Sequence, residues 1–319
     1  MLFPVAGIEI SPWIPPIVAF TISFFTSMGG VSGAFLLLPF QVSILGFTTP
    51  SVSATNQLFN IVAIPSGVYR FIKEGRMVWP LTLVVVIGTL PGVFIGAILR
   101  IQYLPDPRHF KLFVGLVLLY VGAKLIQTQF KPKKNQKNQI QAEEQFRQSV
   151  NEDTLLKKPL ENAPEFQKQK VIVQNFSFSH IIYEFSGHTF KVNIAGIMGL
   201  SFFVGIVGGV YGIGGGAIIA PFFVTFFGLP VFTIAGATLM GTFVTSIGGV
   251  LFYQLIAPYY PNQAVAPDYA LGLLFGLGGF AGMYCGARFQ KFVSAKVIKW
   301  ILAVCILIPA LKYILYFFS

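Results

Sequence analysis

The stretch "GGVYGIGGG" (208–216) places six glycines in nine positions inside a run otherwise suited to hydrocarbon. Glycine costs a helix interior up to about 1 kcal/mol relative to alanine. Inside a bilayer, each backbone group left without a hydrogen bond costs several kcal/mol more. What surrounds this self-imposed break decides the fold.

Working outward, residues 10–69, 77–99 and 192–267 contain no Lys, Arg, His, Asp or Glu. Apolar runs beyond about 18 residues read as transmembrane helices. The chain has a mean hydropathy of +0.73 and only 10% charged residues, against about 25% in soluble domains. An all-α polytopic membrane protein follows. The start, "MLFPVAGIEISPW", has no Lys or Arg and carries Glu9, so it lacks the basic region of a cleaved signal peptide. Two cysteines, Cys285 and Cys305, both in apolar runs, exclude a disulfide framework and a four-cysteine metal site. No metal, cofactor or catalytic residue is expected. The net charge of +11 fits the enrichment of cytoplasmic Lys and Arg in membrane proteins and does not call for nucleic acid.

The break has a counterpart. "GGVSG" (29–33) lies over "GGVYG" (208–212), and, after Ile213, Gly214 and Gly215 are skipped, "AFLLLPFQVSILGF" lies over "GAIIAPFFVTFFGL". Pro39 meets Pro221, Gly46 meets Gly228, Asn56 meets Thr238, Asn60 meets Thr242 and Gly67 meets Gly249. Gly88, Gly92 and Gly96 match Gly278, Gly282 and Gly286, a spacing that reads as close helix packing. The expected organisation is a first transmembrane repeat (10–128), a linker (129–190) and a second repeat (191–319). Each repeat offers one glycine-broken segment (13–46; 192–228), in pieces of about 14–17 residues or 20–25 Å. Three clean spans follow each: 51–70, 78–100 and 109–128, then 231–253, 268–288 and 296–318. That makes eight to ten membrane segments. "KPKKNQKNQIQAEEQ" reads as solvated linker, and "VIVQNFSFSHIIYEFSGHTFKVN" as a small β-hairpin. His180 and His188 there read as exposed hairpin residues rather than metal ligands.

Charge sets the orientation. The loop after the first clean span carries Arg70, Lys73 and Arg76, whereas its counterpart (254–267) carries no positive charge. Equivalent loops of equally oriented repeats would share a bias, so the repeats read as inverted, with the linker on the cytoplasmic side of the cell membrane. This parity requires each broken segment to return to its own side or to cross twice.

A helix beginning at a glycine break offers unpaired N–H groups and the positive end of its dipole, a ready anion site. Matched broken segments are the sequence signature of a secondary transporter's binding site. The candidate substrate-binding residues are Gly29, Gly30, Ser32 and Gly33 of the first break. The second break supplies Gly209, Tyr211, Gly212, Gly214, Gly215 and Gly216. The following spans add Asn56, Gln57 and Asn60, with Thr238 and Thr242. Amides and hydroxyls donate to an anion without carrying a charge to be desolvated. All eleven Asp and Glu lie outside the cores of the spans, which argues against cation pumping. The expected partners are a small anion and the lipid bilayer, with a homodimer as the assembly to consider.

The glycine breaks, "SATNQLFNIVAIPSGVYRF", "AGATLMGTFVTSIGGVLFY" and the duplicated layout resemble the sulfite exporter TauE/SafE family over nearly the whole chain apart from 129–190. The resemblance implies an inner-membrane permease for sulfite, organosulfonates or related small anions; because members of the family differ in cargo, a non-sulfur carboxylate anion is the alternative substrate. "GGVSGAF" lacks the three residues inserted at 213–215, so an asymmetric site is expected. Two rivals stand beside it. An enzyme is disfavoured: "GIGGGA" has no βαβ unit around it, and neither a core histidine nor paired core aspartates are present for intramembrane proteolysis. A receptor or scaffold working through 129–190 would have no need for two matched breaks.

Overall fold

The computed structural model describes residues 1–130, 136–155, 170–216 and 218–318. A short hairpin, β1 (Leu2–Phe3) and β2 (Ile8–Glu9), precedes α1 (Ile14–Met28) and α2 (Ala34–Ser43). Then come α3 (Ser51–Lys73), α4 (Trp79–Gln102) and α5 (Pro107–Phe130). The middle of the chain forms α6 (Gln136–Leu155) and three strands, β3 (Ile172–Phe176), β4 (His180–Phe185) and β5 (His188–Asn193). The second half repeats the order: α7 (Ile194–Tyr211), α8 (Ile219–Phe227), α9 (Val231–Ile256), α10 (Tyr269–Phe289) and α11 (Ala295–Phe318). Among the described residues, Trp79–Gln102, Ile194–Tyr211, Val231–Tyr259 and Tyr269–Phe292 are long and apolar enough to cross a membrane. α3 matches them in length with 23 residues, about 35 Å, but carries the polar run "SVSATNQ" at its start.

Two ends of the bundle are defined by what meets there. At the linker end, Val171 N donates to Gly75 O (2.9 Å) and Tyr183 Oη lies 3.0 Å from Thr233 Oγ1. At the opposite end, Ala6 N donates to Asp268 Oδ2 (3.1 Å) and Ser51 N to Ala264 O (2.8 Å). Asp268 also caps α10 by accepting from Leu271 N at 3.0 Å. α1 starts near this opposite end and reaches Gln290, whose Nε2 donates to Met28 O at 2.6 Å, after which α2 returns to Thr48 beside Arg100. α7 does the reverse. It starts at the linker end, breaks at Gly212 against Ser53, and α8 returns to Val231. Each broken segment therefore enters and leaves at its own end, and three full-length helices follow it.

The second pieces are shorter than counting suggests: α2 has 10 residues and α8 has 9, about 14–15 Å. The breaks take up 29–33 and, among the described residues, 212–216 and 218, and Gly46 and Gly228 turn the chain with φ of +71° and +62°. Both prolines, Pro39 and Pro221, lie inside these short helices.

Packing is crossed between the halves. α10 runs along α1, and α4 along α7. Gly278, Gly282 and Gly286 face the backbone of Pro16, Phe20 and Phe24, while Gly88, Gly92 and Gly96 face residues 198–210. A Cβ on Gly96 would lie 2.7 Å from Val210 N. Small residues bring backbones this close because apolar burial alone does not hold helices together in lipid. α5 pairs with α11, and α3 with α9, across the same divide.

The middle segment departs from the solvated-linker expectation. α6 turns Phe146 onto Phe232 (4.7 Å between ring centroids) and Phe185 (5.4 Å), and Val231 N donates to Glu143 at 2.9 Å. An apolar stripe on an otherwise polar helix is enough to dock it. The expected hairpin carries a third strand, in the antiparallel order β3-β4-β5. His180 and His188 pair with opposite ends of their partner strands, Asn193 and Phe185. Among the described residues no cluster of His, Cys, Asp or Glu could hold a metal ion. Residues 131–135 and 156–169 of the linker lie outside the described residues.

Candidate functional site

The core of the bundle is where α3 and α9 cross and both breaks arrive. Asn60 on α3 ties the breaks to each other. Its Oδ1 accepts from Ser32 Oγ of the first break, and its Nδ2 donates to Ile213 O of the second at 2.9 Å. The same Nδ2 donates to Ser246 Oγ at 3.2 Å. One turn earlier, Asn56 Nδ2 donates to Ala34 O (2.9 Å) and its Oδ1 accepts from Gln41 Nε2 (3.2 Å). Both amides are fully buried. The one-turn spacing that puts them on a common face therefore sends them to α2's first turn and to the breaks.

α9 supplies the opposite wall. Thr238 Oγ1 donates to Gly30 O at 2.9 Å and Thr242 Oγ1 to Thr238 O at 2.8 Å. A Cβ on Gly30 would meet Ala235 Cα at 2.6 Å, and one on Gly216 would meet Thr242 Oγ1 at 2.8 Å. Both breaks thus lie on two adjacent turns of α9, Ala235–Thr242, and share Thr238 between them. Gly215 N donates to Thr245 Oγ1 (3.0 Å), and Gly215 itself packs on Thr89 of α4. Gly212 has φ +79° and sits on the backbone of Ser53, so only a residue without Cβ fits there. Gly214 approaches Ser246 Oγ.

Other candidates sit at the edge of this cluster. Gly29 caps α1: its N donates to Thr26 O at 3.0 Å, and Gly30 N donates to Ser27 O at 3.1 Å. Gly33 packs on Ser23 and Phe59. Gly209 and Tyr211 lie inside α7, not in the break. Gly209 touches the Val93 backbone, and Tyr211 Oη donates to Phe35 O at 2.8 Å, clamping the start of α2.

Gln57 differs from all of these. It is fully buried, yet neither Nε2 nor Oε1 has a hydrogen-bond partner among the described residues. The end of its side chain presses on Gly249 of α9, which has no side chain to displace it. Leaving a buried polar group unpaired costs roughly 1–3 kcal/mol.

Ser246, Thr245, Ser53 and Gln41 are the residues that sequence reasoning missed. Ser246 follows Thr242 by four residues and Ser53 precedes Gln57 by four, so extending the one-turn spacing along each helix finds both. Gln41 gave no such signal.

Among the described residues, no charged side chain enters this cluster. The charges lie at the ends. At the linker end Arg76 is buried and bonded to Glu74 Oε2 (2.5 Å) and Gln290 Oε1 (2.7 Å), and Arg70 Nε lies 2.8 Å from Glu74 Oε1. Burial pulls the Arg76 guanidinium below its usual range, and Glu74 opposes the shift. At the opposite end stands Arg100.

The sulfite exporter TauE/SafE family model matches residues 16–313. No curated protein and no solved structure matches the chain.

Proposed function

The chain belongs to the sulfite exporter TauE/SafE family, and from that premise we propose that it is a secondary transporter of small anions, with sulfite or an organosulfonate as cargo, and not an enzyme. It is a multi-pass membrane protein. The reading places it in the cell membrane with the linker end cytoplasmic. Arg70, Lys73, Arg76, Arg288 and Lys291 gather at that end, as the positive-inside rule requires.

The observation that carries the reading is the polar cluster in which both breaks meet, with the unpaired amide of Gln57 inside it. A fold selected only for stability would fill that position with an apolar side chain. A passing oxyanion would supply the missing acceptor to Gln57 Nε2 and compete for the Asn60 and Ser32 bonds. In the arrangement described, the asparagines and threonines are satisfied by Ser32, Gln41, Ser246 and backbone carbonyls, which fits an occluded state. The mechanism we propose is alternating access: α1, α2, α7 and α8 shift against α3 and α9, and Asn60 exchanges partners from one break to the other. The crossed packing of α1 on α10 and α7 on α4 supports treating the halves as inverted repeats about this point. Export needs no coupling ion, because an inside-negative 100 mV favours exit of an anion by about 2.3 kcal/mol per charge.

The test is an anion panel read as thermal stabilisation of the purified protein at fixed ionic strength. Ligands that bind only the folded state raise the melting temperature by mass action. Sulfite or a sulfonate is expected to stabilise the wild type and not Gln57→Leu. Stabilisation by acetate and chloride equal to that by sulfite would remove the sulfur-oxyanion assignment.

A further inference from the structure

The opposite end of the bundle holds a pocket of about 300 Å³ between the loops at 48–50, 105–107 and 262–264. Thr48, Thr49, Asn262 and Gln263 give it polar walls. Directly behind the wall lies Arg100, the last basic residue of α4 and fully buried. Its Nη2 donates to Thr48 O at 2.8 Å and its Nη1 to Leu104 O, the carbonyls next to Thr49 and Pro105. The guanidinium carbon stacks 3.7 Å from the Phe110 ring centroid.

Two features of this arrangement are unexplained by packing. Arg100 has no carboxylate within ion-pairing distance among the described residues. The acid nearest in sequence, Asp106, is turned the other way: its Oδ1 accepts from Arg108 N (2.6 Å) and its Oδ2 lies 3.6 Å from His109. Arg108 is spent on Phe317 O at 2.8 Å. In addition, Arg100 Nε and Thr49 Oγ1 are buried without hydrogen-bond partners. The buried arginine at the other end, Arg76, is paired with Glu74, which it shares with Arg70 and Lys291. A buried cation normally carries its counter-charge with it.

We infer that this pocket is an outer binding site for a small oxyanion, which supplies from above the counter-charge that Arg100 lacks. The inference rests on the anion-transport reading and adds a second, peripheral site to it. Asn262 and Gln263 on the exposed rim are the hydrogen-bonding groups facing the ligand, Thr49 lines the pocket with its Oγ1 buried beneath the wall, and Arg100 acts as the charge that draws the ligand. Tyr253 packs with Ala97 and Ile101, the residues flanking Arg100 on α4, and its Oη donates to Gly209 O at 3.4 Å. Ser53 Oγ donates to Val210 O at 3.4 Å, so the end of α4 that carries Arg100 is packed against the α3–α9 seam that holds Gln57.

The experiment uses the full-length protein in lipid nanodiscs, with Cys285→Ala and Cys305→Ala, and one new cysteine, Gln263→Cys. Two methanethiosulfonate reagents of similar size are compared, one anionic (sulfonate) and one cationic (trimethylammonium). Phe178→Cys, on the exposed turn before β4, is the reference position. The anionic-to-cationic rate ratio is expected to be about fivefold higher at 263 than at 178, because a local positive potential acts with opposite sign on the two reagents. Methanesulfonate at constant ionic strength should slow the anionic reagent at 263 only. Arg100→Gln should bring the ratio down to the reference value. Asn262→Asp, on the exposed rim, should do the same without touching buried structure. Equal ratios at 263 and 178 would overturn the inference, as would a ratio unmoved by Asn262→Asp. Sulfite flux of the unlabelled wild type is measured in parallel. A raised ratio without flux upholds the outer site and defeats the transport reading, and flux with equal ratios does the opposite.

Discussion

Replacing Gln57 by leucine separates a functional residue from a structural one. Its amide is fully buried and makes no hydrogen bond, so removing it relieves two unsatisfied polar groups. Each such group costs roughly 1–3 kcal/mol, and leucine keeps most of the apolar stem in place against Gly249. The variant should therefore be more stable than wild type by about 1–3 kcal/mol overall, once partial relief and the loss of some packing are allowed for. For a chain of this size that corresponds to roughly 2–8 °C in the unfolding midpoint. Transport should fall at least tenfold, since Gln57 is the amide of the cluster whose N–H group is left without an acceptor among the described residues. Thermal unfolding and radiolabelled flux, measured on the same purified preparation, decide it. A destabilised Gln57→Leu, or one with wild-type flux, would refute the reasoning.

Other substitutions bear on the same architecture. Asn60→Ala removes the bonds to Ser32, Ile213 and Ser246 at once. It should cost about 2–4 kcal/mol of stability as well as transport, read by melting temperature beside flux. Gly212→Leu has to place a side chain at φ +79° against Ser53. Loss of folded, membrane-inserted protein is expected, measured as the yield of monodisperse material. Gly249→Ala pushes on the free end of Gln57, which can swing aside, so the melting point should hold while flux drops. Arg76→Gln removes the bond to Glu74 Oε2 but leaves Arg70 at 2.8 Å and Lys291 at 3.9 Å from that carboxylate, so it should destabilise by about 1–3 kcal/mol, visible as a lower unfolding midpoint with no dependence on added anion.

Much of the fold can be read from the chain because lipid imposes strict rules. Charge-free runs had to be helices, and the dense glycines at 29–33 and 208–216 had to interrupt them. The three-glycine ladders at 88–96 and 278–286 had to admit another backbone, though which backbone was not written in them. That the ladders receive the opposite half's first helix is a matter of long-range topology. α6 escaped notice because its Lys/Gln/Asn-rich start resembles solvated chain and only Phe146 and a few neighbours anchor it. The shortness of α2 and α8 escaped because periodicity does not say how many residues a break consumes.

The site was legible in its members more than in its wiring. Asn56, Gln57 and Asn60 stand out as amides in an apolar span, and the matched positions Thr238 and Thr242 follow from the alignment. Sequence alone treats the three amides alike. In the folded protein Asn56 and Asn60 are saturated by backbone carbonyls and neighbouring side chains, while Gln57 is not. That distinction depends on where α2 and the second break lie, and no local pattern encodes it.

The most direct test of the central claim is flux of labelled sulfite through liposomes containing the purified protein, with an imposed membrane potential. The account predicts saturable movement toward the positive compartment, competed by an organosulfonate and absent in Gln57→Leu. Flux no greater than in protein-free liposomes, for sulfite and for every sulfonate tried, would contradict it.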